Sequence, residues 1–152
     1  MFLGLDLGTS GLRAVLVSED QDVIGASEQP LEIAHPKAGW SEQDPDTWLR
    51  AMHAAAAELK DAHPKSWAAL RGIGISGHMH GATMLDADGA VLRPCILWND
   101  TRAHAEAADL DAAAQVRALS GNIVFPGFTA PKLIWTATHE PDVFARVAKV
   151  VL

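Results

Sequence analysis

The sequence has little cysteine, no tyrosine and an excess of acidic over basic residues. Its single cysteine, Cys95, excludes an internal disulfide, and this favours a reducing, cytoplasmic setting. Twelve Lys and Arg residues stand against nineteen Asp and Glu residues, which gives a formal net charge of −7. This balance argues against a non-specific nucleic-acid binder, although a local nest of backbone amides can still hold phosphate.

Long apolar runs are also missing. No stretch is long and apolar enough to cross a bilayer, so we expect no membrane partner. The N-terminus lacks the basic and then apolar order of a secretory signal. What the chain does have is 49% hydrophobic residues in 152 positions, which is enough for one core and predicts a single domain.

Three apolar segments at the N-terminus predict strands over residues 2–7, 12–18 and 23–33. Because the turns between them are short, they favour an antiparallel meander over parallel strands joined by helices. We read the whole chain as an α/β protein with further short strands at 73–76 and 82–85, the second pairing back with residues 91–92.

Helices are indicated by caps and prolines. Asp44 followed by Pro45 predicts a helix over 45–61, with Trp48 on its apolar stripe, that ends at Pro64. The second predicted helix covers 101–117 and is capped by Asp100 or Thr101. The third is capped by Thr129, and a short fourth begins at Pro141.

The C-terminal segment AKVVL reads as the first half of a buried strand. A strand normally ends in turn residues, and none follow here. We therefore expect the chain to be the N-terminal part of a longer protein.

The first candidate site is the stretch Asp6-Leu7-Gly8-Thr9-Ser10-Gly11. It lacks the lysine of a Walker loop and the helix of a dinucleotide-binding fingerprint. Its small residues can still let backbone amides approach a phosphate, with Asp6 beside a hydrated Mg²⁺. The other interpretation is an ordinary hairpin whose glycines supply positive φ.

The second candidate is Gly77-His78-Met79-His80-Gly81. On an extended chain the two imidazoles share one side, so a metal pair is one interpretation, although two ligands seldom make a site. Alternatively the glycines leave room for a ligand that touches Met79 and one histidine. The third interpretation is a tight crossing in which both histidines bond to backbone.

The third candidate is Trp98-Asn99-Asp100-Thr101-Arg102. A Trp ring can form an apolar wall for the C–H face of a sugar, and the polar residues can bond its hydroxyl groups. The alternative is a core Trp followed by a helix cap, with the arginine on the solvated face.

These motifs occur in one particular order. GLDLGTSGLRAVL, GWSEQDPDTW, GISGHMHGATMLDADG, LRPCILWNDTRA and SGNIVFPGFTAPKLIW together resemble the FGGY family of carbohydrate kinases, and within it the branch that phosphorylates xylulose. The resemblance covers essentially the whole chain. It implies a ribonuclease-H-like, actin-like ATPase fold whose mixed sheet starts with the antiparallel meander.

The resemblance implies that Asp6, Gly8, Thr9 and Ser10 form the first phosphate loop, near the terminal phosphates of ATP and their Mg²⁺. Asp6 is the implied Mg²⁺ residue. Arg13 stands where the family often has Lys or Arg, so it lies either near phosphate or only on a strand face.

On the sugar side, the resemblance implies that Met79 and His80 contact the substrate and that Trp98, Asn99 and Asp100 line the same pocket. His78 departs from the Gln or Asn expected at its position, which leaves its role open.

The resemblance also limits what residues 1–152 can do. They match the N-terminal part of the first kinase domain, while the general-base aspartate and the second, ATP-binding domain lie downstream, so no catalytic residue is expected here. The implied reaction is ATP-dependent phosphorylation of D-xylulose to D-xylulose 5-phosphate. A sibling kinase for ribulose or glycerol and a non-catalytic isolated domain are the alternatives, and exposed apolar faces make a homodimer conceivable.

Overall fold

The computed structural model describes all 152 residues, which form two compact units. The first unit consists of Met1–Ile33 and Asp46–His78, and the second of Ala34–Pro45 and Met79–Leu152. Each has its own cluster of buried apolar side chains, where composition alone predicts one core. None of the helices combines the length and the apolar character that crossing a bilayer requires.

The chain forms eight strands and six helices. In order they are β1 (Phe2–Leu7), β2 (Gly11–Val17), β3 (Val23–Pro30), β4 (Glu42–Gln43), α1 (Pro45–Ala62), α2 (Pro64–Ala68), β5 (Gly72–Ser76), β6 (Thr83–Leu85), β7 (Cys95–Ile96), α3 (His104–Ala112), α4 (Ala114–Ser120), α5 (Thr129–His139), α6 (Pro141–Phe144) and β8 (Lys149–Val151).

The first unit is built on a mixed four-stranded sheet in the order β3-β2-β1-β5. β1, β2 and β3 are antiparallel neighbours, which confirms the predicted meander, and β5 joins β1 in parallel. Inward residues of β1 and β2 alternate with outward ones, so one face of the sheet is apolar. That face packs on α1 through a cluster that includes Leu5, Leu16 and Leu59.

The α1 helix follows its prediction closely, and Trp48 packs against the first core as expected. Pro64 does not simply end this helix. It begins the short helix α2, because a proline at the first helical position gives up no intrahelical hydrogen bond.

The predicted helix over 101–117 is wrong in extent. It begins at His104 and is interrupted at Ala113, whose ψ of 106° is extended. Neither expected residue caps it. The Asp100 carboxylate accepts hydrogen bonds from Ser41 and Arg102, and the Thr101 hydroxyl donates to a backbone carbonyl instead.

The cap predicted at Thr129 is also wrong. α5 already includes Thr129, its N-cap is the extended Phe128, and no side chain caps it. The short helix at Pro141 is confirmed.

Two short strand pairings and an isolated bridge organise the second unit. β4 pairs with β7 and β6 with β8, both antiparallel, and a bridge between Ala82 and Ile96 connects the two pairs. β7 was not predicted, since its residues read as the start of a loop. The β8 strand is confirmed, but its residues are only partly buried. The predicted return of the chain after β6 is confirmed by a bridge from Leu85 to Val91.

Candidate functional site

The turn between β1 and β2 is closed by its own backbone. The amide of Gly8 donates to the carbonyl of Gly11 over 2.9 Å. A β-carbon added to Gly8 would lie 3.1 Å from the carbonyl oxygen of Gly11. A β-carbon added to Gly11 would lie 2.9 Å from the carbonyl oxygen of Gln29. Neither glycine has positive φ, so the φ-based hairpin interpretation is wrong. Both positions are small because backbone passes close to them.

A row of polar residues crosses the exposed face of the sheet beside this turn. Asp6, Arg13 and Glu28 are directly opposite one another on three neighbouring strands. The Arg13 Nε lies 3.3 Å from Glu28 Oε1, and both side chains are exposed, so this pair is worth little in stability. Asp6 is in no ion pair, and its carboxylate stays available to a further partner.

The residues beside the turn line an open cavity of about 540 Å³, among them Asp6, Gly8, Ser10, Gly11 and Arg13. A carboxylate can hold hydrated Mg²⁺, and an arginine and a serine hydroxyl can bind phosphate oxygens. Of the five residues that the sequence assigned to phosphate and Mg²⁺, the cavity is lined by Asp6, Gly8, Ser10 and Arg13 but not by Thr9. The chemistry of these four residues fits such a group.

The predicted sugar residues Met79 and His80 lie in the second unit. Met79 is largely exposed, and His80 has a φ of 60°. For a residue other than glycine this left-handed conformation costs about 1–2 kcal/mol, so the surroundings must hold it in place. The imidazole of His80 stacks on the ring of Phe128, with centroids 4.4 Å apart and planes 21° from parallel.

Lys132 supports the backbone of the same residue. Its Nζ donates to the carbonyl oxygen of His80 over 2.7 Å, and its side chain is fully buried. Burial lowers the pKa of Lys132 to about 8, an effect opposed in part by Cys95 and Asp100. Burial also raises the pKa of the Cys95 thiol.

The loop predicted to line the sugar pocket divides into exposed and buried positions. Trp98 and Asn99 are exposed. Asp100 is buried, and its two oxygens accept bonds from the Ser41 amide and from the amide and guanidinium of Arg102, at 2.6–2.9 Å. This carboxylate therefore fixes the loop that presents Trp98 and Asn99.

Arg102 connects that loop to a buried ionic network. Its guanidinium lies 2.7 Å from Glu42, over the Trp40 ring at 3.6 Å, and against Asp100. Arg93 adds ion pairs to Glu42 and to a glutamate at the end of α5. The interpretation of Arg102 as a solvated helix residue is wrong, because its guanidinium is buried against Glu42, Asp100 and Trp40 of the second unit.

His78 belongs to the first unit. It is buried, its ring stands edge-on to Trp48 at 5.3 Å, and neither ring nitrogen has a hydrogen-bond partner. The interpretation in which His78 bonds to backbone is therefore wrong. No group of three or more His, Cys, Asp or Glu side chains converges on a common point, which gives the metal-pair interpretation no support.

Sequence reasoning missed Lys132 and Phe128. A signal for Lys132 was present, since it shares the buried stripe of α5 with Trp135 and Thr136, three and four positions away. A lysine on an apolar stripe needs a buried partner. Nothing in the sequence pointed to the contact between Phe128 and His80.

The comparisons with known proteins identify the class. The profile of the FGGY family of carbohydrate kinases, N-terminal domain, matches residues 1–152, and this chain belongs to that family. It is 46% identical over 153 residues to the xylulose kinase of Escherichia coli (strain K12). This alignment covers all of the present chain and 31% of the E. coli protein.

Solved structures agree with this assignment. A xyloylose kinase from Brucella ovis is 59% identical with a TM-score of 0.97, over 99% of this chain and 31% of that one. A xylulose kinase from Rhodospirillum rubrum is 36% identical with a TM-score of 0.92, over 97% and 31%. The fold is therefore the ribonuclease-H-like, actin-like ATPase fold, and the chain spans about a third of the length of these relatives.

Proposed function

We propose that this chain supplies the phosphate turn and part of the sugar site of an ATP-dependent kinase that converts D-xylulose to D-xylulose 5-phosphate. The observation that carries the proposal is the match over essentially the whole chain to a protein named xylulose kinase, at 46% identity, and to one named xyloylose kinase, at 59% identity. Residues 1–152 would be the N-terminal part of the first domain of a cytoplasmic enzyme. We refer to a protein of the relatives' length that contains this chain as the full-length kinase.

On the phosphate side, Asp6 would hold hydrated Mg²⁺, and Thr9 and Ser10 would direct amides and hydroxyls at the terminal phosphates. The exposed Asp6 carboxylate and the cavity beside it support this role. Mg²⁺ bound there would neutralise charge that develops on the transferred phosphoryl group. Arg13 is engaged with Glu28 and would reach phosphate only by leaving that pair.

On the sugar side, His80 would donate to or accept from a sugar hydroxyl, and Met79 and Trp98 would offer apolar surface. The exposure of Met79 and Trp98 and the fixed left-handed backbone of His80 support this arrangement. Asn99 would reach a further hydroxyl. Asp100 would act mainly by holding this loop, since both of its oxygens already accept hydrogen bonds.

In the reaction, the C5 hydroxyl oxygen forms a bond to the γ-phosphorus of ATP while the bond from that phosphorus to the bridging oxygen of ADP breaks. The hydroxyl proton passes to an aspartate that the family resemblance places downstream of residue 152. The residues of this chain contribute by positioning and charge neutralisation, which account for most of the catalysis of phosphoryl transfer.

A substrate panel tests the proposal. The full-length kinase is given ATP with D-xylulose, D-ribulose or glycerol, and ADP release is followed with a coupled assay. We expect kcat/KM to be highest for D-xylulose. A higher value for D-ribulose or glycerol would assign the chain to a sibling kinase, and no turnover with any of them would support a non-catalytic role.

The 152-residue chain by itself should release no ADP above background under the same conditions, because the base is not among its residues. Size-exclusion chromatography of the full-length kinase tests the possible homodimer.

A further inference from the structure

Lys132 is an unusual residue to find completely buried. It is the largest of the fully buried side chains, and it is in no ion pair. The carboxylate that raises its pKa, Asp100, is already bonded to Arg102 and to the Ser41 amide. Burial of an ammonium group without a counter-ion is unfavourable, so a lysine that only filled space here would be a poor choice over methionine or leucine.

The contact that Lys132 does make is specific. Its Nζ lies 2.7 Å from the carbonyl oxygen of His80. A charge-assisted hydrogen bond to a carbonyl is stronger than a neutral one, and it gains strength in a buried setting. The acceptor belongs to one of two non-glycine residues with positive φ in the chain, the other being Gln21.

Two contacts from one segment therefore constrain the same histidine. At the start of α5, Phe128 stacks on the imidazole and Lys132 binds the main-chain carbonyl. The ring contact sets the plane of the imidazole, and the carbonyl contact fixes the backbone from which it projects. Phe125, edge-on to Phe128 at 5.6 Å, holds the stacking partner.

We infer that Lys132 is a positioning residue for the sugar-binding His80: by binding its carbonyl, it keeps this residue in the left-handed conformation that directs the imidazole toward the sugar. This inference rests on the proposed function, because it assumes that His80 touches the sugar. Lys132 itself need not contact the substrate.

The test uses the full-length kinase with Lys132→Met, which nearly keeps the volume of the unbranched side chain and removes the donor. We expect KM for D-xylulose to rise about tenfold or more, because a misplaced contact of this kind weakens binding strongly, while KM for ATP stays within about twofold. The matched control is Thr136→Val. Thr136 is equally buried on α5 and bonds only within the helix, to the carbonyl of Lys132, so both KM values should change less than twofold.

A double-mutant comparison separates positioning from general damage. When His80 is already replaced by alanine, Lys132→Met should add less than about twofold to KM for D-xylulose, because the imidazole it positions is gone. An equal increase with and without His80 would overturn the inference, and so would equal increases in KM for D-xylulose and ATP.

If Lys132→Met fails to fold, Phe128→Leu serves in its place. It should raise KM for D-xylulose selectively and lose that effect in the His80→Ala background. A rise that persists in that background would count against the whole arrangement.

A readout independent of turnover distinguishes this inference from the proposed function. In histidine-labelled protein the imidazole resonance of His80, assigned with His80→Gln, should shift in Lys132→Met and stay in place in Thr136→Val. An unchanged His80 resonance in Lys132→Met would overturn the inference even in an active enzyme. A shifted resonance in a protein that does not phosphorylate D-xylulose would leave Lys132 as the residue that positions His80 and would refute only the substrate.

Discussion

Gly127 lies directly against the backbone of Trp98, so closely that a β-carbon at Gly127 would be 2.0 Å from the Trp98 carbonyl oxygen. Because the obstacle is backbone, no side-chain rotation can relieve the clash. The contact joins the segment before α5 to the loop that exposes Trp98 and Asn99.

Gly127→Ala should therefore disrupt this junction. We expect a loss of about 2 kcal/mol or more in the free energy of unfolding, measured by urea denaturation. Gly74→Ala is the control, since a β-carbon there meets nothing within 4 Å and should change stability by less than about 1 kcal/mol. Equal effects at both positions would mean that the close approach is not the cause.

Asp6→Ala should act on catalysis more than on sugar binding. Removing the carboxylate would misplace Mg²⁺, so kcat of the full-length kinase should fall by about 100-fold or more with KM for D-xylulose little changed. Asp20→Ala, in the exposed turn after β2, is the control and should keep full activity. A kcat unaffected by Asp6→Ala would remove Asp6 from the phosphate site.

His80→Ala should weaken sugar binding more than ATP binding, because only sugar hydroxyls lose a partner. We expect KM for D-xylulose to rise about tenfold or more and KM for ATP to stay nearly constant in steady-state kinetics. The sugar assignment fails if both kinetic constants for D-xylulose are those of the unaltered enzyme.

The titrations of Lys132 and Cys95 should change the free energy of unfolding with pH in opposite directions. The pKa of Lys132 is lowered to about 8 from 10.5, so above pH 8 the folded chain releases a proton that the unfolded chain keeps. The free energy of unfolding should therefore rise by about 1 kcal/mol between pH 8 and 9. The thiol of Cys95, with its pKa raised above 9.0, binds a proton more tightly when folded and lowers stability as pH rises beyond 9.0.

Urea denaturation between pH 7 and 10 checks these signs. Lys132→Met should abolish the rise between pH 8 and 9, whereas Cys95→Ala should keep it and remove the decline at higher pH. If the free energy of unfolding of Lys132→Met still rises between pH 8 and 9, another group causes the rise.

His78 should be replaceable by an apolar ring with a gain in stability. Both of its ring nitrogens are buried without a partner, which is unfavourable, while its contact with Trp48 is one that a phenyl ring can make equally well. His78→Phe should raise the free energy of unfolding by about 1 kcal/mol. A comparable loss would instead show that His78 binds a ligand or water that stabilises it.

The sequence predicted the features that depend on local pattern. The strands β1 and β2, the short turns of the meander and the Pro45 start of α1 are each encoded within a few residues, and all are confirmed. The order of the motifs was sufficient to identify the family.

Local pattern failed where a side chain is used over a long sequence separation. Asp100 and Thr101 have the chemistry of helix caps. However, the Asp100 carboxylate accepts a hydrogen bond from the Ser41 amide, and the Thr101 hydroxyl donates one to the Gly39 carbonyl. Ala113 interrupts an alanine-rich stretch in which nothing predicts a break. Arg102 looks solvated in sequence because its partners Glu42 and Trp40 are about sixty positions away.

The sequence by itself determined the fold class, the family and the positions of the Asp6 and His80 motifs, because spacing and residue type carry that information. Only the tertiary structure decided how His80 is held, since the pairing of its carbonyl with Lys132 and of its ring with Phe128 spans about fifty residues. A buried lysine is stable only where folding brings an acceptor to it, and no local pattern specifies which acceptor that will be.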